Sequence, residues 1–315
     1  MIEEILSKYV KFEKRGKEFV FLCPFHQEET PSCFMHMETG QFHCFGCKKG
    51  GGLKTFISLL GGEEVIDYSK LIEISDKKVV IKEETILDES VLTHFLYKPE
   101  SLLSAGFSEE LLWNYKVGFH PERKRNIFPI RNMQGKLMGV SGGSICGGSP
   151  KYKVYRGCFF AGGKKIPSDY GTWFDELYPT YGIFDKSNYI WNFDRVYRED
   201  FKYLIVTEGF KAALWLIQLG FPNVIALMGS NLSDVQVKEL LKVQGDIYLM
   251  LDNDLGGEAG TNICITKLFD YFSLYQVEYS TGQPDQLTKE QLVQSLKAPL
   301  KVSRKRYLEL KGKNK

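Results

Sequence analysis

The chain has 315 residues, 43% of them hydrophobic, and 41 Lys and Arg offset 39 Asp and Glu to give a formal net charge of +2. This length suits two or three compact units with at least one buried core and excludes a peptide scaffold. No apolar run approaches the ~20 residues of a membrane span, and the acidic, amphipathic start Met1-Ile-Glu-Glu-Ile-Leu-Ser-Lys lacks the basic and apolar regions of a signal peptide. The expectation is a soluble, cytoplasmic protein with no membrane partner.

Residues 1–60 carry Cys23-Pro24-Phe25-His26 and, seventeen residues later, Cys44-Phe45-Gly46-Cys47. Two paired ligand steps at this spacing close one tetrahedral zinc site, because each pair lets a single turn present two donors to one ion. The stretch from Phe34 to Phe42 reads as a hairpin that returns the chain. The competing reading is scattered residues buried as small hydrophobes; the double pairing argues against it. Cys33, His36 and His43 lie nearby but form no spaced pair with another ligand type, so they are expected to be hairpin residues. Cys33, Cys146, Cys158 and Cys264 show no disulfide-framework spacing, which fits a reducing compartment. Leu53 to Leu60 has the apolar spacing of a short helix packed on this unit, stopped by Gly61-Gly62.

The run Leu22-Cys-Pro-Phe-His-Gln-Glu-Glu-Thr-Pro-Ser-Cys33, followed by Phe42-His-Cys-Phe-Gly-Cys47 and Gly50-Gly-Gly, resembles the N-terminal zinc ribbon of bacterial-type (DnaG-like) DNA primases. Residues 61–90 are charge-rich without a firm period and read as a linker. Residues 91–200 hold a helical pattern, Glu109-Glu-Leu-Leu-Trp113. Two strand-like runs follow, Arg125 to Arg131 and Gly135 to Ser141, around an Asn-Met-Gln-Gly turn. Between Glu122 and Lys165 ten cations face one acid, a local excess of nine. Such a stretch suits a polyanion, and the interleaved Phe128, Tyr152 and Tyr155 supply stacking surfaces for bases; the bland alternative is a solvated face.

From Tyr203 the pattern becomes regular. Strands are predicted over 203–207, 224–228, 246–251 and 275–279, and helices over 210–219, 234–243 and 260–272. This alternation implies βαβ units and a covered parallel sheet whose ligands gather at the carboxyl ends of its strands. Glu208 follows the first strand, Asp252 and Asp254 follow the third, and Asp285 follows the fourth. Carboxylates converging on one crevice repel each other unless a cation neutralises them, and hard oxygen donors select Mg²⁺ or Mn²⁺. Each acid alone reads equally as a strand-end polar residue or helix cap.

This block resembles the Toprim domain of primases and topoisomerases at Glu208-Gly209 and Asp252-Asn-Asp254. Ile127-Phe-Pro-Ile-Arg131, Pro150-Lys-Tyr152, Tyr181-Gly-Ile183 and Met228 to Gln236 resemble successive primase polymerase motifs in the family's order. The resemblance covers residues 1–290 and leaves 291–315, with Arg304-Lys-Arg306, as a solvated basic tail. It implies a fold of α+β with α/β type: an N-terminal zinc ribbon, a basic subdomain over 91–200, and a Rossmann-like parallel-sheet Toprim subdomain over 201–290. It further implies a primase that makes short RNA primers by two-metal nucleotidyl transfer. The expected partners are single-stranded DNA, ribonucleoside triphosphates and a separate replicative helicase. Structural Zn²⁺ would sit on Cys23, His26, Cys44 and Cys47. Glu208, Asp252 and Asp254 would be catalytic and would bind Mg²⁺ or Mn²⁺ with a weaker Asp285. Arg125, Arg131, Lys151 and Tyr152 would contact template and nucleotide.

Three positions depart from the family pattern. Ala212 stands where the family has an Asp four residues after the catalytic Glu, the family's Asp-Pro-Asp is Gln283-Pro-Asp285, and no Lys directly precedes Tyr181-Gly. These departures leave two rivals: a catalytically weak DNA-binding protein, encoded by a phage or mobile element, and a Toprim nuclease. Primer synthesis separates the first, and strand cleavage without incorporation the second.

Overall fold

A computed structural model describes residues 2–37, 40, 42–47, 49–61, 86–147, 151–155, 158–161, 164–167 and 185–313. Most of the expected linker, together with Pro150 and the Tyr181-Gly-Ile183 motif, lies outside the described residues. At the N-terminus, β1 (Phe12–Arg15), β2 (Glu18–Phe21), β3 (Cys33–His36), β4 (Phe42–Cys44) and β5 (Gly50–Gly51) form one antiparallel sheet in chain order. The helix Leu53–Leu59 covers it. Phe56 from that helix meets Phe21, Phe25 and Phe42 edge-on at 5.5, 5.4 and 5.0 Å. An aromatic cluster thus supplies much of the core of this short unit, and a metal held by its Cys and His residues would supply the rest.

The basic segment forms a four-stranded antiparallel meander: β6 (Gly118–His120), β7 (Arg125–Arg131), β8 (Leu137–Ser144) and β9 (Tyr152–Tyr155). The β7–β8 turn falls where the sequence places it. Asn132 Oδ1 accepts from the Gln134 and Lys136 amides, and Gly135 takes a left-handed φ of 76°. A separate hairpin pairs β10 (Cys158–Ala161) with β11 (Lys164–Pro167).

The third sheet contains β12 (Tyr203–Thr207), β13 (Val224–Ala226), β14 (Asp246–Leu249), β15 (Leu274–Gln276) and β16 (Leu300–Lys301), in the order β13-β12-β14-β15-β16. The first four strands run parallel and β16 is an antiparallel edge. Because β12 has β13 on one side and β14 on the other, the winding reverses between β12 and β14. A crevice opens at their carboxyl ends. The basic sheet packs beside this crevice: Phe128 of β7 stacks on Phe210 at 4.7 Å, and the Trp191 indole donates to the Pro129 carbonyl at 3.0 Å.

The segment after 290 is not a solvated tail. The helix Lys289–Lys297 starts on a Thr288–Gln291 capping box, β16 joins the sheet, and the helix Arg304–Lys313 packs on the helix Leu255–Leu268. Tyr307 stacks on Phe269 at 4.6 Å and donates to Asp270 at 2.6 Å. The basic run Arg304-Lys-Arg306 conceals this anchor because the inward-facing apolar residues, Val302 and Tyr307 with a partly buried Leu310, are spread among the charges.

Candidate metal centres and nucleic-acid interface

Cys23, His26, Cys44 and Cys47 each bring a donor atom within 4.8 Å of the other three. Cys23 Sγ lies 3.7 Å from Cys47 Sγ, and Cys44 Sγ lies 3.9 Å from His26 Nδ1. A tetrahedron with metal–sulfur bonds of about 2.3 Å has sulfur–sulfur edges of roughly 3.8 Å, so this set has the size of a zinc site. Burial pushes the Cys23 thiol up to about 12. Burial also opposes ionisation at Cys44, but hydrogen bonds from Ser32 and the Cys47 amide outweigh it and hold that thiol at about 7. A cation among these donors favours the thiolate forms.

Glu28 organises this centre, and no spacing rule in the sequence singles it out. Its carboxylate lies 3.1 Å from His26 Nε2 and accepts hydrogen bonds from the Cys23 amide at 2.6 Å and from both the amide and hydroxyl of Ser32. The Ser32 hydroxyl, followed by these amides, holds the carboxyl below its ordinary range. With Nε2 engaged by Glu28, Nδ1 is the nitrogen left to face the thiols, a carboxylate–histidine–metal relay. Gly46 permits the approach: a Cβ there would stand 2.5 Å from His26 Nε2.

The second centre occupies the crevice at the β12/β14 reversal. A cleft of ≈ 290 Å³ is lined by Glu208, Asp252, Asp285, Lys151, Tyr152 and Lys186, among others. Asp254, the N-cap of the helix Leu255–Leu268, accepts the Gly257 amide at 2.8 Å and lies beside the cleft. Burial, then the charges of Asp252 and Asp254, raises the Glu208 carboxyl. Asp252 is raised chiefly by burial. Among the described residues, Glu208 Oε2 and Asp285 Oδ1 are buried without a hydrogen-bond partner. Orphaned carboxylate oxygens beside other acids are what a divalent cation fits. The cleft therefore unites the acids that the strand-end pattern selects.

It also contains cations that no sequence pattern marks. Lys186 enters the cleft and donates to the Met228 carbonyl at 2.6 Å; burial lowers its ammonium. Met228 is left-handed at φ 64°, a conformation a non-glycine residue rarely adopts, and it aims that carbonyl. Lys211 pairs with Asp285 at 3.0 Å. Lys186 joins Glu208 and Lys211 through topology, whereas Glu208 and Lys211 flank the same strand-to-helix turn.

The four residues expected to touch nucleic acid divide into two pairs. Lys151 and Tyr152 line the cleft, with the Lys151 charge close enough to favour the ionised forms of Glu208 and Asp252. Arg125 and Arg131 do not reach it. Arg125 is buried and donates to the Gly142 and Lys151 carbonyls at 2.9 and 3.3 Å. Arg131 forks onto Glu89 at 2.5 and 3.0 Å and onto the Gly135 carbonyl. In β7, whose residues are buried almost throughout, both guanidiniums bond the chain's own carbonyls or carboxylate. A count of cations cannot reveal that allocation.

Two protein families match. The CHC2 zinc finger of the DnaG type covers residues 1–86 and the Toprim-like family covers 205–288. The DNA primase of Staphylococcus aureus (strain MSSA476) is 27% identical over 326 aligned residues, covering 82% of this chain and 50% of that protein. The DNA primase of Staphylococcus epidermidis (strain ATCC 12228 / FDA PCI 1200) is 26% identical, covering 82% and 51%. The chain thus spans about half the length of the curated relatives it matches. Among solved structures, the zinc-binding and RNA polymerase domains of Aquifex aeolicus primase align with TM-score 0.52 at 21% identity, covering 96% of this chain and 83% of that one. A DnaG primase catalytic domain bound to single-stranded DNA aligns with TM-score 0.51 at 18% identity, covering 67% and 77%. These likenesses show the fold. The chain thus carries a zinc ribbon followed by a Toprim-like region. In both matched regions the chain resembles the DnaG-type DNA primases.

Proposed function

We propose that this protein makes short RNA primers on single-stranded DNA, joining ribonucleoside triphosphates by nucleotidyl transfer. The observation that carries this reading is the convergence of Glu208, Asp252 and Asp254 at the β12/β14 crevice, facing Lys151 and Lys186. In each step a ribose 3′-hydroxyl attacks the α-phosphorus of the incoming nucleotide, the bond to the β-phosphate bridging oxygen breaks, and pyrophosphate leaves. A cation such as Mg²⁺ or Mn²⁺, held by Glu208, Asp252 and Asp254, would neutralise charge developing on the phosphates. Glu208, whose carboxyl is raised by burial and neighbouring acids, accepts the hydroxyl proton. Lys151 and Lys186 hold phosphate oxygens, and Tyr152 offers an aromatic face at the cleft wall. The zinc ribbon on Cys23, His26, Cys44 and Cys47 contacts the template, and a separate replicative helicase delivers the strand. Replication of the cell's DNA places this work in the cytoplasm. No described helix is long and apolar enough to cross a membrane.

Glu208→Gln and Asp252→Asn test this assignment. Each removes charge from the cation site without touching the strand contacts, so primer synthesis should fall at least ~100-fold while single-strand affinity stays within a few-fold of the parent. Full activity in either variant contradicts the role assigned to that residue.

A further inference from the structure

Resting on that reading of the cleft, we propose that the Lys211 ammonium stands in for a second divalent cation, so that the cleft holds one divalent ion and not the pair that the family resemblance implies. Of the acids that would surround a second ion, two are absent and the third already has a partner. Ala212 is buried and lines the cleft, supplying no donor atom. Gln283 turns its amide nitrogen toward the acids and donates to Asp252 Oδ2 at 3.0 Å. An Asp at that position would be a ligand; the glutamine donates a proton to one. Asp285 remains, with a side chain only 8% exposed, and its Oδ2 lies 3.0 Å from Lys211 Nζ.

The charge balance agrees with this geometry. Glu208, Asp252, Asp254 and Asp285 carry four negative charges when ionised, and Lys151, Lys186 and Lys211 return three, leaving −1. One divalent ion brings the empty cleft to +1, ready for a polyanionic substrate. A pair would bring it to +3, and like charges concentrated in a partly buried site repel strongly. Lys211 lies one residue before Ala212 in the first turn of the helix Phe210–Gln218. The chain thus has no acid at 212 and a cation at 211, and both leave the cleft less negative.

The test is Mn²⁺ binding to the full zinc-loaded chain, followed by electron paramagnetic resonance of the free ion. Parent, Asp252→Asn, Lys211→Met and Lys211→Gln are compared, and zinc content and circular dichroism report folding. The parent should bind one Mn²⁺ that Asp252→Asn removes. Lys211→Met should bind a second ion, or bind the first roughly tenfold more tightly, because Asp285 loses its compensating charge; Lys211→Gln gives the same readout if the methionine variant misfolds. Two ions in the parent, or a variant curve that superimposes on the parent's, overturns the proposal. Absence of any Mn²⁺ binding sensitive to Asp252→Asn instead overturns the cation-cleft reading on which it rests.

Discussion

Glu28 and Arg125 illustrate how little a residue's type says about its work until its neighbours are known. Glu28 reads in the sequence as one of two ordinary acids in a Gln-Glu-Glu run, yet it stands against His26 Nε2, leaving Nδ1 toward the thiols, and anchors the turn that carries Cys23. Glu28→Gln keeps the shape but weakens acceptance from the imidazole. Zinc affinity should therefore fall between roughly 10- and 100-fold, read by competition with a chromogenic chelator; an unchanged affinity rules out the relay. Arg125 and Lys151 present the converse case, since as cations of one basic stretch both read as phosphate ligands. Lys151→Ala should weaken single-strand binding and reduce the slope of log affinity against log salt by about one. Arg125→Ala should instead cost about 1–3 kcal/mol of stability, because the Gly142 and Lys151 carbonyls lose a buried donor. Chemical denaturation and a salt titration of both variants separate the two roles, and equal salt slopes for them contradict the distinction.

At the level of elements, the parallel sheet was legible because apolar strand runs and helical runs alternate strictly from Tyr203 onward. β12 coincides with its predicted span, and β13, β14 and β15 fall short of theirs by two or three residues, with β15 also starting one residue early. The clustering of Cys23, His26, Cys44 and Cys47 was legible for a different reason: their spacing is local and the turns that present them are short. The helix Leu255–Leu268 begins five residues before its predicted start, since Gly256 and Gly257 argue against a helix on propensity alone. The structure supplies the competing reason: a Cβ at Gly257 would stand 1.8 Å from the Asp252 carbonyl. Glycine there lets the Asp254-capped helix close against the strand end that carries the acids. Gly257→Ala should accordingly displace Asp252 and weaken divalent-ion binding at least ~10-fold, with a loss of about 1–3 kcal/mol in stability. Parent-like ion affinity in that variant would detach the helix start from the site. Lys186 was not legible, because its meeting with the acids depends on a crossover that no local pattern encodes; Lys211 and Gln283 stand beside Glu208 and Asp285 in the chain, but their contacts to Asp285 and Asp252 were not readable from that.

In the whole molecule, the two metal centres lie toward opposite ends of the same sheet. The ribbon docks where β15 begins: Thr55 Oγ1 lies 3.3 Å from Ser273 Oγ, and Lys301 Nζ reaches the Gly50 carbonyl at 3.4 Å. The carboxylates gather at the opposite, carboxyl ends of β12 and β14. The folded C-terminal helix, stacked on Phe269 through Tyr307, lies on the ribbon's side; on the proposed function, a template held by the ribbon would have to span the sheet to reach the cleft. Ribbon, basic sheet and acidic cleft would all serve one reaction, the template-directed joining of ribonucleotides. Its most direct test is incorporation of labelled ribonucleotides on unprimed single-stranded DNA by the purified zinc-loaded chain with Mg²⁺ or Mn²⁺. Short labelled RNA that depends on template and divalent ion, and is lost in Asp252→Asn, is the predicted result. Tight single-strand binding with no product at any concentration of either ion would contradict it and leave a DNA-binding protein on a priming scaffold.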